Sequence, residues 1–154
     1  MSILRSGEIS DYEQVLPLKI SVHNKHAKAE GKFYKDSQDV LSIQSYSDEV
    51  AKDHVLVLDN DGIIVAYVFI LEMNIKNHPL INDQKILYID DLCVSEERRG
   101  KGIGTELFSK LLEYAKIKGY SSLELSVWDF NEEAQNFYSK MGMRRTRIRM
   151  IREL

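Results

Sequence analysis

Arg98-Arg99-Gly100-Lys101-Gly102-Ile103-Gly104-Thr105 is the stretch on which the reading of this chain turns. The chain has eight glycines in 154 residues, and three of them fall within these five central positions. A β-type run, Lys85–Val94, precedes the stretch. An amphipathic run, Thr105–Lys118, follows it, with Leu107, Leu111 and Ala115 on one helical face beside Phe108 and Leu112. Glycine at a strand-to-helix junction tolerates positive φ and lets another molecule approach the backbone. The first N–H groups of the helix have no intrahelical acceptor, and with the helix dipole they form an anion site. Arg99 and Lys101 bring positive charge to the same place. These residues describe a pyrophosphate cradle; the plainer alternative is a glycine-rich turn that merely leads into a helix.

Spacing removes two nucleotide readings. The nucleotide P-loop needs four residues between its first glycine and a Gly-Lys-Ser/Thr, which is absent. The dinucleotide fingerprint needs Gly-x-Gly-x-x-Gly in an early βαβ unit, whereas Gly100, Gly102 and Gly104 stand at i, i+2 and i+4.

The elements around the stretch read as mixed α/β. Ile3–Arg5 is a short strand. Ser10-Asp11-Tyr12-Glu13 reads as a capping box that starts a helix at Ser10, with Pro17 bending it. A second helix lies within Ser37–Lys52. Val55–Leu58 and Ile63–Leu71 form a hairpin through Asp59-Asn60-Asp61-Gly62. Asn74–Gln84 is a polar loop with Pro79, and it could close one side of a binding groove. Leu123–Val127 alternates as a strand. Asn131–Met141 is a helix closed by Gly142, and Met143–Met150 reads as a final strand. Three consecutive strands in the middle argue for antiparallel pairing and against a doubly wound sheet.

Composition bounds the function. Hydrophobic residues make up 44% and charged residues 29%, an ordinary globular balance that excludes disorder and collagen. The net charge of −3 offers no global attraction to nucleic acid. Arg144, Arg145, Arg147, Arg149 and Arg152 stand against Glu153, a local +4 that leaves −7 on the rest. Without interleaved aromatics, that cluster reads as a solvated edge, intersubunit ion pairs or an acidic acceptor site. The single Cys93 excludes an internal disulfide and a cysteine-rich zinc site. His23 and His26 form an i, i+3 pair without further metal ligands at helical spacing, so no metal is expected. No apolar leader is seen, and the longest apolar run, Ile63–Leu71, is nine residues, too short to span a bilayer. A cytoplasmic protein of one domain, residues 1–154, is expected, with no membrane partner.

Two motifs together resemble the GNAT N-acetyltransferase family. Arg99-x-x-Gly102-x-Gly104, directly after Leu92-Cys93-Val94-Ser95, is similar to the family's acetyl-CoA motif. Asn131-x-x-Ala134-x-x-Phe137-Tyr138-x-x-Met141-Gly142-Met143 is similar to its second signature, with methionine at 143 where phenylalanine is commoner. The resemblance runs along nearly the whole chain. It implies an α/β fold of the α+β type: a mixed, mostly antiparallel central sheet flanked by helices, splayed between the Lys85–Val94 and Leu123–Val127 strands. It also implies acetyl-CoA as cosubstrate, a primary amine as acceptor, and a homodimer as a common state.

By the same resemblance, the N–H groups of Arg99, Gly100, Lys101, Gly102, Ile103, Gly104 and Thr105 hold the pyrophosphate of CoA. The pantetheine arm pairs with the backbone of Leu92, Cys93 and Val94. A bulge near Asp91 would splay the sheet and aim an N–H at the thioester oxygen. Tyr138 is the candidate general acid for the departing thiolate, because a phenol titrates near an alkyl thiol; otherwise it is a core aromatic. Asn131 touches the CoA arm, caps its helix, or does both.

The acceptor ammonium must lose a proton before it attacks. Asp90 and Asp91 are adjacent on a strand, so one is expected on each face, and one of them could bind the cation and relay its proton. Glu72 is the rival. Cys93 could be a nucleophile, but a strand cysteine is more often a small hydrophobe. His23, His26, Phe33, Tyr34 and Tyr46 are candidates to line the acceptor pocket, or simply packing residues. A protein N-terminal or lysine acetyltransferase and a non-catalytic CoA-binding module are the alternatives to a small-molecule enzyme.

Overall fold

A computed structural model describes residues 1–154. Its elements run β1 (Ser2–Ser6), α1 (Tyr12–Ala29), α2 (Ile43–Ala51), β2 (Val55–Asn60), β3 (Ile63–Ile75), β4 (Gln84–Val94), α3 (Ile103–Ile117), β5 (Ser122–Leu125) and α4 (Glu132–Lys140). The five strands form one sheet in the order β1-β2-β3-β4-β5. Every pairing is antiparallel except the last, β4 with β5, which is parallel. The α+β sheet expected from the sequence is present.

Two apolar clusters sandwich the sheet. On one face Leu107, Leu111 and Ala115 of α3 pack on Leu56, Leu58, Val65, Val68, Ile70, Leu87 and Ile89. On the other, Val15 of α1 and Tyr46 of α2 pack on Val55, Val57, Tyr67, Phe69 and Cys93. β3 is buried on both faces for most of its length, which is why it reads as a continuous apolar run.

Several local expectations shift. The first helix begins at Tyr12, after a 3₁₀ turn over Ile9–Asp11. The capping pair is Glu8 with Asp11: the Glu8 N–H donates to Asp11 Oδ2 at 2.8 Å. Asp11 is also gripped by the Arg5 guanidinium in two hydrogen bonds of 2.8 Å, so the capped turn starts at Glu8, before Ser10, and the α-helix proper follows from Tyr12. The hairpin turn is the two residues Asp61-Gly62, with φ of 55° and 88°, and β2 runs on through Asn60.

The segment Met143–Met150 is not a strand. It has no regular structure, and Ile148 and Met150 are 85% and 89% exposed. Alternating residues make a segment able to join a sheet, but a strand exists only with a ladder partner, and none lies beside it.

One irregularity interrupts the β3–β4 ladder. The β3–β4 register pairs Phe69 with Asp91 but Ile70 with Ile89, so Asp90 is an extra residue, a β-bulge. On the other side of β4, pairing to β5 covers Ile86–Ile89 only. From Asp90 to Val94 that edge of β4 has no strand neighbour, and the sheet opens as a V.

Candidate active site

The V ends in the glycine stretch. Gly100 and Gly102 have φ of 73° and 79°, and Gly102 is the N-cap of α3 in the left-handed region. None of the N–H groups from Gly100 to Thr105 donates to a backbone acceptor. A row of free N–H groups at a helix N-terminus is an anion cradle built from backbone alone. A Cβ on Gly102 would meet no protein atom within 4 Å, so the space above it is open. Gly104 serves a different purpose. Its conformation is helical, and a Cβ there would touch the Phe137 ring at 3.4 Å, so its smallness lets α4 close on the first turn of α3.

That packing places Tyr138. Phe137 and Tyr138 both contact Phe108 of α3, with ring centroids at 6.2 and 5.9 Å. Asn131 caps α4 by accepting from the Ala134 N–H at 3.1 Å. Burial, reinforced by the negative charge of Asp91, pushes the Tyr138 phenol up to about 12. The hydroxyl therefore keeps its proton across the neutral range.

The bulge corrects the expectation for the two aspartates. Leu87 and Ile89 face α3, and so do Leu92 and Val94. The two residues between them, Asp90 and Asp91, therefore both fall on the α1 face instead of one on each. The extra residue breaks the two-residue alternation. Their surroundings differ. Asp91 Oδ2 accepts from Lys19 Nζ of α1 at 2.6 Å and from the Tyr67 hydroxyl at 2.7 Å. Tyr67 is fully buried, and burial together with the Asp91 charge holds its phenol far above the usual range, so it remains a donor. Asp90 is exposed and makes neither an ion pair nor a hydrogen bond with a protein group. Lys19 neutralises Asp91, which leaves Asp90 as the uncompensated charge.

Lys19 and Tyr67 were not singled out by sequence. Neither has a motif, and only the α1–β4 packing brings them to Asp91. The aromatic wall was legible in half. Tyr34 contacts His26, Phe33 and Trp128, with ring centroids at 5.2, 5.0 and 5.7 Å. Trp128 Nε1 donates to the Tyr34 hydroxyl at 2.9 Å, tying the β5–α4 connection to the segment after α1. Burial lowers His26 below the usual histidine range, so its ring is neutral near pH 7. Trp128 is the chain's only tryptophan, a signal that could have been read.

Other candidates lie elsewhere. Tyr46 is core, packed on Tyr12 and Phe69. Glu72 accepts from Tyr120 at 2.9 Å and pairs with Lys85, three register positions from the Phe69–Asp91 pair. The loop 76–83 sits at the opposite end of β4, roughly 20 Å from the bulge at ~3.3 Å per residue, so it closes nothing there. Burial pushes the Cys93 thiol up to about 11, which leaves it a small apolar side chain at neutral pH.

Comparison with known proteins agrees with this geometry. The model of the Acetyltransferase (GNAT) family matches residues 20–143. The bovine (Bos taurus) thialysine N-epsilon-acetyltransferase is 41% identical over 56 residues, 36% of this chain and 33% of that protein. The match thus spans about a third of that relative's length. A crystal structure of a mutant BH1408 protein from Bacillus halodurans superposes with a TM-score of 0.91 at 34% identity, covering 99% of each chain. An aminoglycoside N-acetyltransferase in complex with CoA shares the fold, with a TM-score of 0.70 at 12% identity over 99% of this chain and 95% of that one. The chain belongs to the GNAT acetyltransferase family.

Proposed function

We propose that this chain moves the acetyl group of acetyl-CoA to a primary amine of a small molecule, by direct attack in a ternary complex. The observation that carries the proposal is the unpaired β4 edge, Asp90–Val94, running straight into the free N–H row at Gly100–Thr105. An extended pantetheine arm fits the first as an added strand, and a pyrophosphate fits the second. Bound acetyl-CoA supplies the activated thioester.

The chain's residues do the rest. Backbone groups of Leu92, Cys93 and Val94 hold the arm. Arg99 and Lys101 balance phosphate charge, and Asn131 steadies the α4 end of the cleft. Tyr138 donates to the departing sulfur. Asp90 receives the acceptor ammonium and passes its proton to water, while Asp91, locked by Lys19 and Tyr67, fixes the bulge. A small acceptor is favoured over a protein chain because the Tyr34–Trp128 bridge walls one side of the cleft. The thialysine relative, named for a side-chain amine, points the same way.

A panel of amines read by free-thiol release from acetyl-CoA tests this reading, preceded by thermal shift with CoA, NAD and ATP. Stabilisation by CoA alone is expected; no shift with CoA overturns the proposal.

The two aspartates separate experimentally. Asp90→Asn should raise the acceptor KM by at least ~10-fold through lost ground-state binding, lower kcat as well because the proton relay is removed, and leave Tm unchanged. Asp91→Asn should instead cost about 2 kcal/mol by unpairing Lys19 in a partly buried place, lowering Tm by roughly 4–8 °C. An unchanged KM in Asp90→Asn removes that residue from acceptor binding.

The pH profile follows from Tyr138. Its working form is protonated and its pKa is raised to about 12, so it adds no descending limb below about pH 10, the ordinary phenol value. Acetyl transfer measured against pH should therefore rise as the acceptor amine deprotonates and stay high. A fall between about pH 8 and 10, with the fold intact, would contradict the assignment.

A further inference from the structure

The chain has four histidines, and three of them are tied by a ring nitrogen. His23 Nε2 lies 2.7 Å from the Lys35 carbonyl oxygen, His54 Nδ1 lies 2.9 Å from Glu49, and His78 Nδ1 accepts from the Leu80 N–H at 3.1 Å. His26 is the exception. It is half-buried, and neither ring nitrogen bonds to a protein group. Its ring is stacked on Tyr34 at 23°, with centroids 5.2 Å apart, and meets Phe130 at 74° and 6.2 Å. Stacking uses the face of an imidazole and leaves the nitrogens, which lie in the ring plane, unused. A sheltered polar group without a partner costs stability, so these two nitrogens point to something that enters the cleft.

Helix α1 carries this ring across the V. Val15, Lys19, Val22 and His26 follow one another at four, three and four residues, so they share one helix face. That face is turned to the sheet: Val15 is fully buried there, and Val22 packs on the same cluster. Lys19 reaches Asp91 on β4. His26 stands seven residues further on, roughly 10 Å along the axis, and reaches Phe130 on the β5–α4 connection. β4 and that connection are the two sides of the V. The last turns of α1 therefore bridge the opening, with His26 on the underside. The charge of Asp91 acts on both the His26 and the Tyr138 rings, so the two border one space.

An ammonium that becomes an amide must lose two protons. The first leaves before attack, by way of Asp90 and water. The second leaves after attack, when the nitrogen is bonded to the acetyl carbon and carries positive charge again. Asp91 is claimed by Lys19 and Tyr67, and Tyr138 keeps its own proton, so neither can accept it. We propose that His26 is the general base for this second proton, an assignment that rests on the acetyl-transfer reading above. The C–N bond has formed; the N–H bond then breaks toward a free imidazole nitrogen. The C–S bond breaks next, and its electron pair leaves on sulfur under the Tyr138 hydroxyl. The thiolate takes a proton from solvent, and the imidazolium returns one to it. The surroundings suit a base. Burial and the charges of Lys19, His23 and Lys25 on α1 oppose the imidazolium, against the pull of Asp91 from β4, and the ring is neutral near pH 7. Tyr34 and Phe130 face it from the other two segments.

Thermal shift with CoA and thiol release with a responsive amine come first, on the intact chain. Their failure overturns the acetyl-transfer reading and this assignment with it. Given activity, His26→Phe keeps the stack and removes the nitrogens. It should lower the single-turnover rate at saturating substrates by at least ~10²-fold, with the acceptor KM and the circular dichroism nearly unchanged. His26→Gln, which cannot take up a proton near neutrality either, should behave alike. The pH profile of the intact chain reads the base itself. Deprotonation of the acceptor makes the logarithm of the rate climb by one unit per pH unit. Protonation of His26 adds a second proton below about pH 6.5, so the plot should steepen there in the intact chain and stay straight in His26→Phe. An intact-chain profile without that steepening overturns the assignment, as does a folded His26→Phe with an undiminished rate. A folded His26→Phe that only raises the acceptor KM overturns it too, because His26 is then a wall of the cleft and acetyl transfer stands without it.

Discussion

Gly102→Val is expected to weaken acetyl-CoA binding at least ~100-fold, about 2.7 kcal/mol, while the protein remains folded. Two effects add. Gly102 holds φ of 79° at the N-cap of α3, where an L side chain costs roughly 1–2 kcal/mol. A β-branched residue that escapes that strain turns the first N–H groups of α3 away from a common point. The second effect is steric, and no protein atom causes it, since a Cβ there meets nothing within 4 Å. The open space is the place proposed for the phosphates. Gly119→Val is the control, because Gly119 has φ of 75° and equally open surroundings at the far end of the same helix. It should lose comparable stability and keep acetyl-CoA affinity. Calorimetric titration with acetyl-CoA checks both variants. Equal affinities in the two would show that strain alone explains the loss and would remove the cradle.

Tyr138→Phe is expected to lower kcat by about 10²–10³-fold, the range typical of a lost general acid. The change removes one oxygen and leaves the ring against Phe108, so stability and acetyl-CoA affinity should hold. Burial has raised the phenol to about 12, which keeps the proton available throughout the neutral range. The price is a weaker acid than a free phenol. On the proposed reading the hydroxyl acts as a directed hydrogen-bond donor to the negative charge developing on sulfur, and it need not give up its proton to a thiolate whose thiol is the stronger acid. Single-turnover kinetics isolate this step from product release. A variant with the wild-type single-turnover rate would make Tyr138 a packing residue.

The glycine stretch was legible because its chemistry is local. A strand, a glycine turn and a helix N-terminus are contiguous in the chain, so the N–H row at Gly100–Thr105 needs no distant partner. Helices α3 and α4 and the β2–β3 hairpin were legible for the same reason: periodicity and turn residues are short-range properties. Even here the sequence grouped three glycines that do different work. Gly100 and Gly102 carry positive φ, whereas Gly104 makes room for Phe137, thirty-three positions away in the chain.

Sequence by itself determined the class of fold, the order of its elements as far as α4, the glycine junction between β4 and α3, and the Phe137-Tyr138 pair. Tertiary structure alone decided what surrounds the two aspartates. A one-residue bulge at Asp90 has no compositional mark, yet it turns both aspartates to the α1 face. Lys19 lies 72 residues from Asp91 in the chain, and Trp128 lies 94 from Tyr34. Whether a carboxylate is free or claimed depends on what packs beside it, and strand alternation cannot foresee a register that slips. The C-terminal arm shows the same limit from the other side. Its alternation was plain, but pairing is a property of two strands, and the partner was not in the pattern.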